Sequence, residues 1–362
     1  MTKHKIALIG SGNWASATGK IMGENILGSP KLQAIFEIGI QMWTYEEMID
    51  GRKITEIINT KHQNVKYLPG IDLPHNLIAN PDLVDCTKNA TILVFCLPHQ
   101  FLPRTLSTMK PHVNPKAIGI SLIKGMMFEE TKLLPITTFI TRTIGIPMAV
   151  LSGANVADEI AKGQLCETTI GAVDETHVKL FKDLFHTDAF RVSVVKCPPP
   201  SIEIYGACKN VVALGAGFVD AFDFGNNTKS AIIRNGAIEI LKLIKLLTGC
   251  KDDTIALESC GIADLITTCF GGRNRKCAEK WARSRMVGID LSKDEEAPID
   301  IGMSWEEVEE ELLGGQKLQG NLTAEEIYVI IKREHLEKEF PLLTMICRIS
   351  EGSEPVTSIL KF

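Results

Sequence analysis

Four charged side chains stand in apolar or glycine-rich surroundings, and their types define the chemistry open to this chain. Lys209 lies inside the Gly- and Ala-rich apolar run Ser201–Phe218 and is followed at once by Asn210. Either its stem covers apolar surface while the ammonium reaches water, or the ammonium is held partly desolvated. Desolvation favours the neutral form of a lysine and suits it to proton transfer. The segment by itself leaves both readings open. Asp264 sits among Ala263, Leu265 and Ile266, with Thr268 four residues on, on the same helical face. A carboxylate in that company calls for a cation, because a broken buried pair costs roughly 3–5 kcal/mol. Lys209 is the evident partner, and another structural cation is the alternative.

The other two cations read as ligand groups, against a solvated loop lysine for Lys124 and a nucleic-acid or surface patch around Arg273. Lys124, next to Gly125, closes the strand-like run Ala117–Ile123. Arg273 falls in Gly271-Gly272-Arg273-Asn274-Arg275-Lys276, directly before a helical stretch. Two glycines, a guanidinium fork and fresh helix N–H groups favour a phosphate. A glycine-bracketed polar loop, Gly314–Gly320, reads either as a mobile lid or as a plain helix connector.

A second kind of chemistry is written at the N-terminus. The apolar run Lys5–Ile9 leads into Gly10-Ser11-Gly12-Asn13-Trp14-Ala15 and then a helical stretch. In G-x-G-x-x-A the first Gly makes the tight turn and the second admits a pyrophosphate. The small third residue lets helix and strand pack closely. Dinucleotide binding follows. The second strand is expected at Ile40–Thr44, after a long loop Gly28–Gly39, with Tyr45-Glu46-Glu47 beyond it. A carboxylate there repels a 2′-phosphate and favours NAD over NADP; the alternative is that both glutamates are merely solvated.

Elements must position these groups. Strand-like runs recur at Thr91–Leu97, Ala117–Ile123, Met148–Ser152 and Arg191–Val195, with helical stretches between, which predicts a parallel sheet covered on both faces. Cys197-Pro198-Pro199-Pro200 reads as an extended connector closing a domain of residues 1–196. Beyond it, residues 197–362 read as helices at about Ser201–Phe222, Asn227–Thr248, Asp253–Cys269, Arg275–Arg285, Trp305–Leu313, Ala324–Arg333 and Leu342–Glu351.

At 362 residues, 45% hydrophobic and 23% charged, the chain has the composition of an ordinary two-domain globular protein. A net charge of −5 argues against a nucleic-acid partner. The ten cysteines form no C-x-x-C, so they read as reduced core thiols of a cytoplasmic protein, with no metal site. No signal peptide and no apolar run of membrane-spanning length are expected.

Taken together, the segments GSGNWASA, MWTYEE, TEIINTKHQNVKYLPG, PHQF, GISLIKG, GANVA, CETTIG, ACKNVVALGAGF, ESCGIADLITTC, GGRNRK and GGQKLQG resemble, in order, the eukaryotic cytosolic NAD-dependent glycerol-3-phosphate dehydrogenases. The resemblance implies a Rossmann-like α/β domain followed by an all-α domain of the 6-phosphogluconate-dehydrogenase-like kind. It implies a homodimer, and interconversion of sn-glycerol 3-phosphate with dihydroxyacetone phosphate. It implies that Gly10, Ser11, Gly12, Asn13, Trp14 and Ala15 hold the pyrophosphate, while Tyr45, Phe101, Lys124, Ala157, Arg273, Lys317 and Gln319 also contact NAD. Lys209 would be the proton donor and acceptor, in a catalytic set with Lys124 and Asp264. Lys124, Asn210, Asp264, Thr268, Arg273 and Asn274 would surround the substrate, with Arg273 on its phosphate.

Two features depart from the family. Ala15 stands where Gly is usual, which a packing position tolerates. An acidic segment, about Met286–Met303, is inserted ahead of the helix that feeds the Gly314–Gly320 loop. A dehydrogenase for another small hydroxy acid and a cofactor-sensing paralogue without activity are the alternative functions.

Overall fold

The computed structural model describes residues 2–129, 132–289, 297, 299 and 301–362. The chain divides into two compact units. Met1–Lys124 and Pro135–Glu203 form the first, and Gly125–Leu134 and Ile204–Phe362 the second. The division is thus not at a single point of the chain: a short hairpin, Met127–Glu129 with Lys132–Leu134, belongs to the second unit.

The first unit is built on an eight-stranded sheet. In spatial order its strands are Phe190–Lys196, Cys166–Ala172, Met148–Ser152, Ile118–Ser121, Ile92–Phe95, His4–Ile9, Phe36–Trp43 and Leu77–Asn80. The strands are short and mostly apolar, as expected of a sheet buried on both faces; Ile92–Phe95 is buried throughout. Helices flank it, and Leu8, Met22, Phe36, Ile40, Val94 and Phe181 share its core. The order reverses between His4–Ile9 and Ile92–Phe95, and in open sheets ligands bind outside the carboxyl ends of strands at such a point.

Three sequence expectations change here. The sheet is not wholly parallel, because Met148–Ser152 pairs antiparallel with Cys166–Ala172. The strand Cys166–Ala172 carries Glu, three small polar or glycine positions and little aliphatic bulk, so its apolar signal is weak. The stretch 28–39, expected as a loop, holds the helix Pro30–Ile35, capped by Ser29, and the start of the strand Phe36–Trp43. The prolines at 199 and 200 are not a connector; they open the helix Pro199–Asp220, where a missing N–H costs nothing. Near that start, the buried Glu203 accepts from Thr137 N at 3.0 Å and pairs with the Thr137 hydroxyl at 2.6 Å, fixing the first turn of the helix Ile136–Ile144. Burial pushes the Glu203 carboxyl up to about 8.

The second unit is helical apart from its hairpin. Pro199–Asp220 is long and apolar enough by composition to cross a membrane, contrary to the sequence expectation, and 89% of that apolar window is buried within the fold. Its Gly and Ala residues serve close packing: a Cβ on Gly217 would meet the Arg275 carbonyl at 2.3 Å. Asn226–Thr248, Arg273–Arg285, Trp305–Leu313, Gln319–Arg333 and Pro341–Glu351 complete the main helices. The continuous helix expected over 253–269 is broken. A 3-10 turn, Asp253–Leu257, gives way to extended Glu258 and a wide π turn, Ser259–Ala263; the α-helix Asp264–Gly271 starts only then. Gly261 adopts φ −94°, ψ −105° inside the wide turn, where a Cβ would strike the Ile255 carbonyl at 2.3 Å. Half of the acidic segment 286–303, residues 290–296, 298 and 300, lies outside the described residues.

Candidate active site

Local geometry explains the glycine-rich turn of the first unit. Gly10 follows the strand His4–Ile9 at φ 119°, with its N–H on the Trp43 carbonyl at 3.2 Å. A Cβ there would sit 2.1 Å from the Cys96 carbonyl. Gly12 is different: it is the N-cap of the helix Asn13–Gly28, supplies no capping side chain, and has nothing within 4 Å of where a Cβ would lie. Ala15 is fully buried. One glycine is required by the fold, the other leaves room at a helix N-terminus, and the small third residue is a packing position. These residues fit a dinucleotide pyrophosphate.

The other first-unit candidates are scattered around strand ends. Lys124 is exposed, three residues beyond the strand Ile118–Ser121. Phe101 (56% exposed) ends the turn His99–Phe101, and Tyr45 (73% exposed) follows the strand Phe36–Trp43. Ala157 is buried and starts the helix Ala157–Ala161. The Trp14 ring packs edge-on against Phe190 at 6.2 Å, so its indole serves the fold. Neither expected carboxylate beyond the second strand is simply solvated. Glu46 accepts from Thr55 N (3.3 Å) and Oγ1 (2.8 Å), at the start of the helix Ile54–Lys61. Glu47 pairs with Lys66 at 2.5 Å and accepts from the Tyr67 hydroxyl at 3.2 Å.

In the second unit the structure pairs Lys209 with Asp264, both side chains almost fully buried. Asp264 follows directly on the π turn Ser259–Ala263, to whose carbonyls its own N–H donates, and opens the α-helix Asp264–Gly271. Thr268 does not reach that carboxylate; its hydroxyl donates to the Asp264 main-chain carbonyl at 2.6 Å.

Asn274 Nδ2 donates to Asn210 Oδ1 at 2.9 Å, and its Oδ1 accepts from Gly320 N at 2.9 Å. One buried amide therefore ties three helices together. Arg273 opens the helix Arg273–Arg285, is exposed, and donates to Gln316 Oε1 at 3.2 Å. Lys317 pairs with Glu309 at 3.0 Å, which raises its ammonium above the ordinary value. Gln319 is exposed at the start of Gln319–Arg333.

Sequence reading passed over Glu309 and Asn64. Glu309 is 4% exposed and also accepts from Leu318 N at 2.8 Å, so it pins the loop after Leu313 from below. Its one sequence signal is a carboxylate at a core-facing position of the helix Trp305–Leu313. Asn64 stood in a quoted motif with no role attached.

The family models for the N-terminus and C-terminus of NAD-dependent glycerol-3-phosphate dehydrogenase match residues 5–178 and 199–361. The chain is 46% identical over 357 residues to the cytoplasmic NAD(+) glycerol-3-phosphate dehydrogenase of Homo sapiens, covering 98% of this chain and 96% of that one. Among solved structures, the glycerol-3-phosphate dehydrogenase of Saccharomyces cerevisiae aligns with a TM-score of 0.88 at 40% identity, over 99% of both chains. That of Plasmodium falciparum gives 0.89 at 37%, over 99% of this chain and 94% of the other.

Proposed function

The chain belongs to the NAD-dependent glycerol-3-phosphate dehydrogenase family, and on that basis we propose that it interconverts sn-glycerol 3-phosphate and dihydroxyacetone phosphate, in the cytoplasm and as a homodimer. Residues 1–196 supply most of the cofactor contacts, and residues 197–362 most of the substrate contacts and the dimer contact. Bound NAD supplies the hydride chemistry. Everything else falls to side chains of this chain.

Gly10, Ser11, Gly12, Asn13, Trp14 and Ala15 form the pyrophosphate turn, and Tyr45, Phe101, Ala157, Lys317 and Gln319 line the rest of the cofactor. Lys124 binds substrate beside it. In oxidation Lys209 accepts the proton of the C2 hydroxyl; in reduction it returns that proton to the oxygen. Asp264 holds the ammonium in place and balances its charge. Arg273 grips the phosphate, with Asn210, Thr268 and Asn274 around the rest of the substrate. The partner Arg273 has now, Gln316, is neutral, so exchanging it for a phosphate breaks no ion pair.

The buried Lys209–Asp264 pair carries this reading. A buried ion pair contributes less to stability than apolar packing of the same volume, and an ammonium kept from water is suited to proton transfer. The test is the NADH absorbance on mixing protein, NADH and dihydroxyacetone phosphate. It should decay with the phosphorylated substrate and hardly at all with dihydroxyacetone. No decay, or equal decay with both, removes the assignment.

The dimer reading is supported by an apolar groove of about 630 Å³ on the second unit, lined by Leu241, Leu257, Ile266 and Phe270 among others. Leu257 is 79% exposed there, as at surfaces that meet a partner. Sedimentation of the wild type and Leu257→Glu tests it: a dimer that Leu257→Glu converts to monomer is expected, and a monomeric wild type discards it.

A further inference from the structure

We propose that Asn64 is a positioning residue for the dinucleotide: it sets the shape of the Gly10–Ala15 turn and, through its own loop, ties that turn to the acidic loop beyond the second strand. The proposal rests on the cofactor reading above and deepens it.

Asn64 follows the helix Ile54–Lys61 and is 0% exposed, which is unusual for a loop amide. Its amide N–H donors are spent on the turn and on the helix that the turn opens. Nδ2 donates to the Ser11 carbonyl at 2.8 Å and to Ser16 Oγ at 2.9 Å. Oδ1 accepts from Tyr67 N at 3.2 Å. Ser11 is inside the glycine-rich turn, and Ser16 is in the first turn of the helix Asn13–Gly28. One amide therefore fastens the turn to the start of its helix.

The consequence follows from peptide planarity. The Ser11 carbonyl and the Gly12 N–H belong to one trans peptide and point in opposite directions. Holding that carbonyl toward Asn64 turns the Gly12 N–H away from Asn64. Gly12 is also the position with open space where a side chain would be. Asn64 thus aims a main-chain donor without touching the ligand.

The same loop continues the bracket. Lys66 pairs with Glu47 at 2.5 Å, and the Tyr67 hydroxyl donates to Glu47 at 3.2 Å. Glu47 lies four residues past the strand Phe36–Trp43. In folds of this topology the first βα turn meets the pyrophosphate and the end of the second strand meets the adenosine ribose. Residues Asn64–Tyr67 fix the spacing between those two places.

The test is Asn64→Asp, which keeps shape but turns the donor facing the Ser11 carbonyl into an acceptor. Calorimetric titration should show the Kd for NADH raised at least about tenfold. Turnover at saturating NADH should stay within about threefold, and the KM for dihydroxyacetone phosphate should hold. A residue that merely supports the fold would lower the thermal midpoint without this split. An unchanged Kd for NADH overturns the proposal. If Asn64→Asp does not fold, Ser16→Ala removes one of the two acceptors; a rise in Kd of about two- to fivefold is expected, and no rise overturns the proposal. Wild-type protein that fails to bind NADH strikes the cofactor reading itself. Wild type and variants that bind it equally strike Asn64 alone.

Discussion

The glycine-rich turn of the first unit and the Lys209–Asp264 pair of the second are built in opposite ways. The turn is made of main chain. Its requirements are absent or small side chains at Gly10, Gly12 and Ala15, and a neutral amide, Asn64, sets its shape. The pair is made of side chains: two opposite charges inside an apolar helical unit, each almost fully removed from water. On the function proposed above, the first region grips a polyanion with peptide dipoles and is sensitive to volume, while the second moves a proton and is sensitive to charge.

Substitutions can break or sharpen that contrast. The largest effect is expected from Lys209→Ala: turnover falls by about two to four powers of ten, as for lost general acid–base catalysis. Stability falls by roughly 3–5 kcal/mol, because Asp264 is left buried without its cation. Adding Asp264→Asn should recover much of the stability and none of the rate. Stopped-flow turnover and thermal midpoints separate the two, and a single variant with near-normal turnover removes Lys209 from the chemistry.

The turn supplies the matching pair. Gly10→Ala forces a Cβ onto the Cys96 carbonyl at a φ that side chains avoid, and should cost about 3 kcal/mol or more. Gly12→Ala meets no protein atom, so the thermal midpoint should hold while the Kd for NADH rises about tenfold. Equal losses of stability in both variants would erase the distinction between a glycine required by the fold and one that leaves room for a ligand. Arg273→Ala should raise the KM for the phosphorylated substrate by about 10- to 100-fold and leave the slow oxidation of glycerol nearly unchanged. Equal damage to both substrates would contradict the phosphate assignment.

The smallest effect concerns pH. Glu203 in the fold titrates at about 8, above its ordinary 4.5, because it is buried. Between those values the folded chain keeps a proton that the unfolded chain has released. Stability therefore falls as pH rises through that window. Glu203→Gln should flatten the decline, so the two thermal midpoints should converge toward pH 5 and part toward pH 8. Parallel curves would mean that Glu203 is charged in the fold throughout.

Much of this was legible from local signals. A Gly-x-Gly turn after a short apolar strand can be read without its neighbours, and so can helices with a strong apolar face, such as Asn226–Thr248. Weakly apolar segments were not legible. The strand Cys166–Ala172 is placed by pairing on both edges, and Pro30–Ile35 is a single capped turn or so of helix. The break ahead of Asp264 was hidden because its residues suit a helix individually. It arises where Gly261 lies against the carbonyls of Ile255 and Ala256.

The sequence by itself determined the parts: the glycine-rich turn, the two-unit plan, and the charged residues set in apolar runs. It also suggested one pair, Lys209 with Asp264, which the structure makes. The other partners were settled by tertiary structure: Lys317 met Glu309, and the Asn64 amide closed on a turn 53 residues away. The reason is physical. Backbone conformation answers to neighbours a few residues off, whereas a buried polar group must be satisfied by whatever the packing of distant segments brings within 3 Å or so.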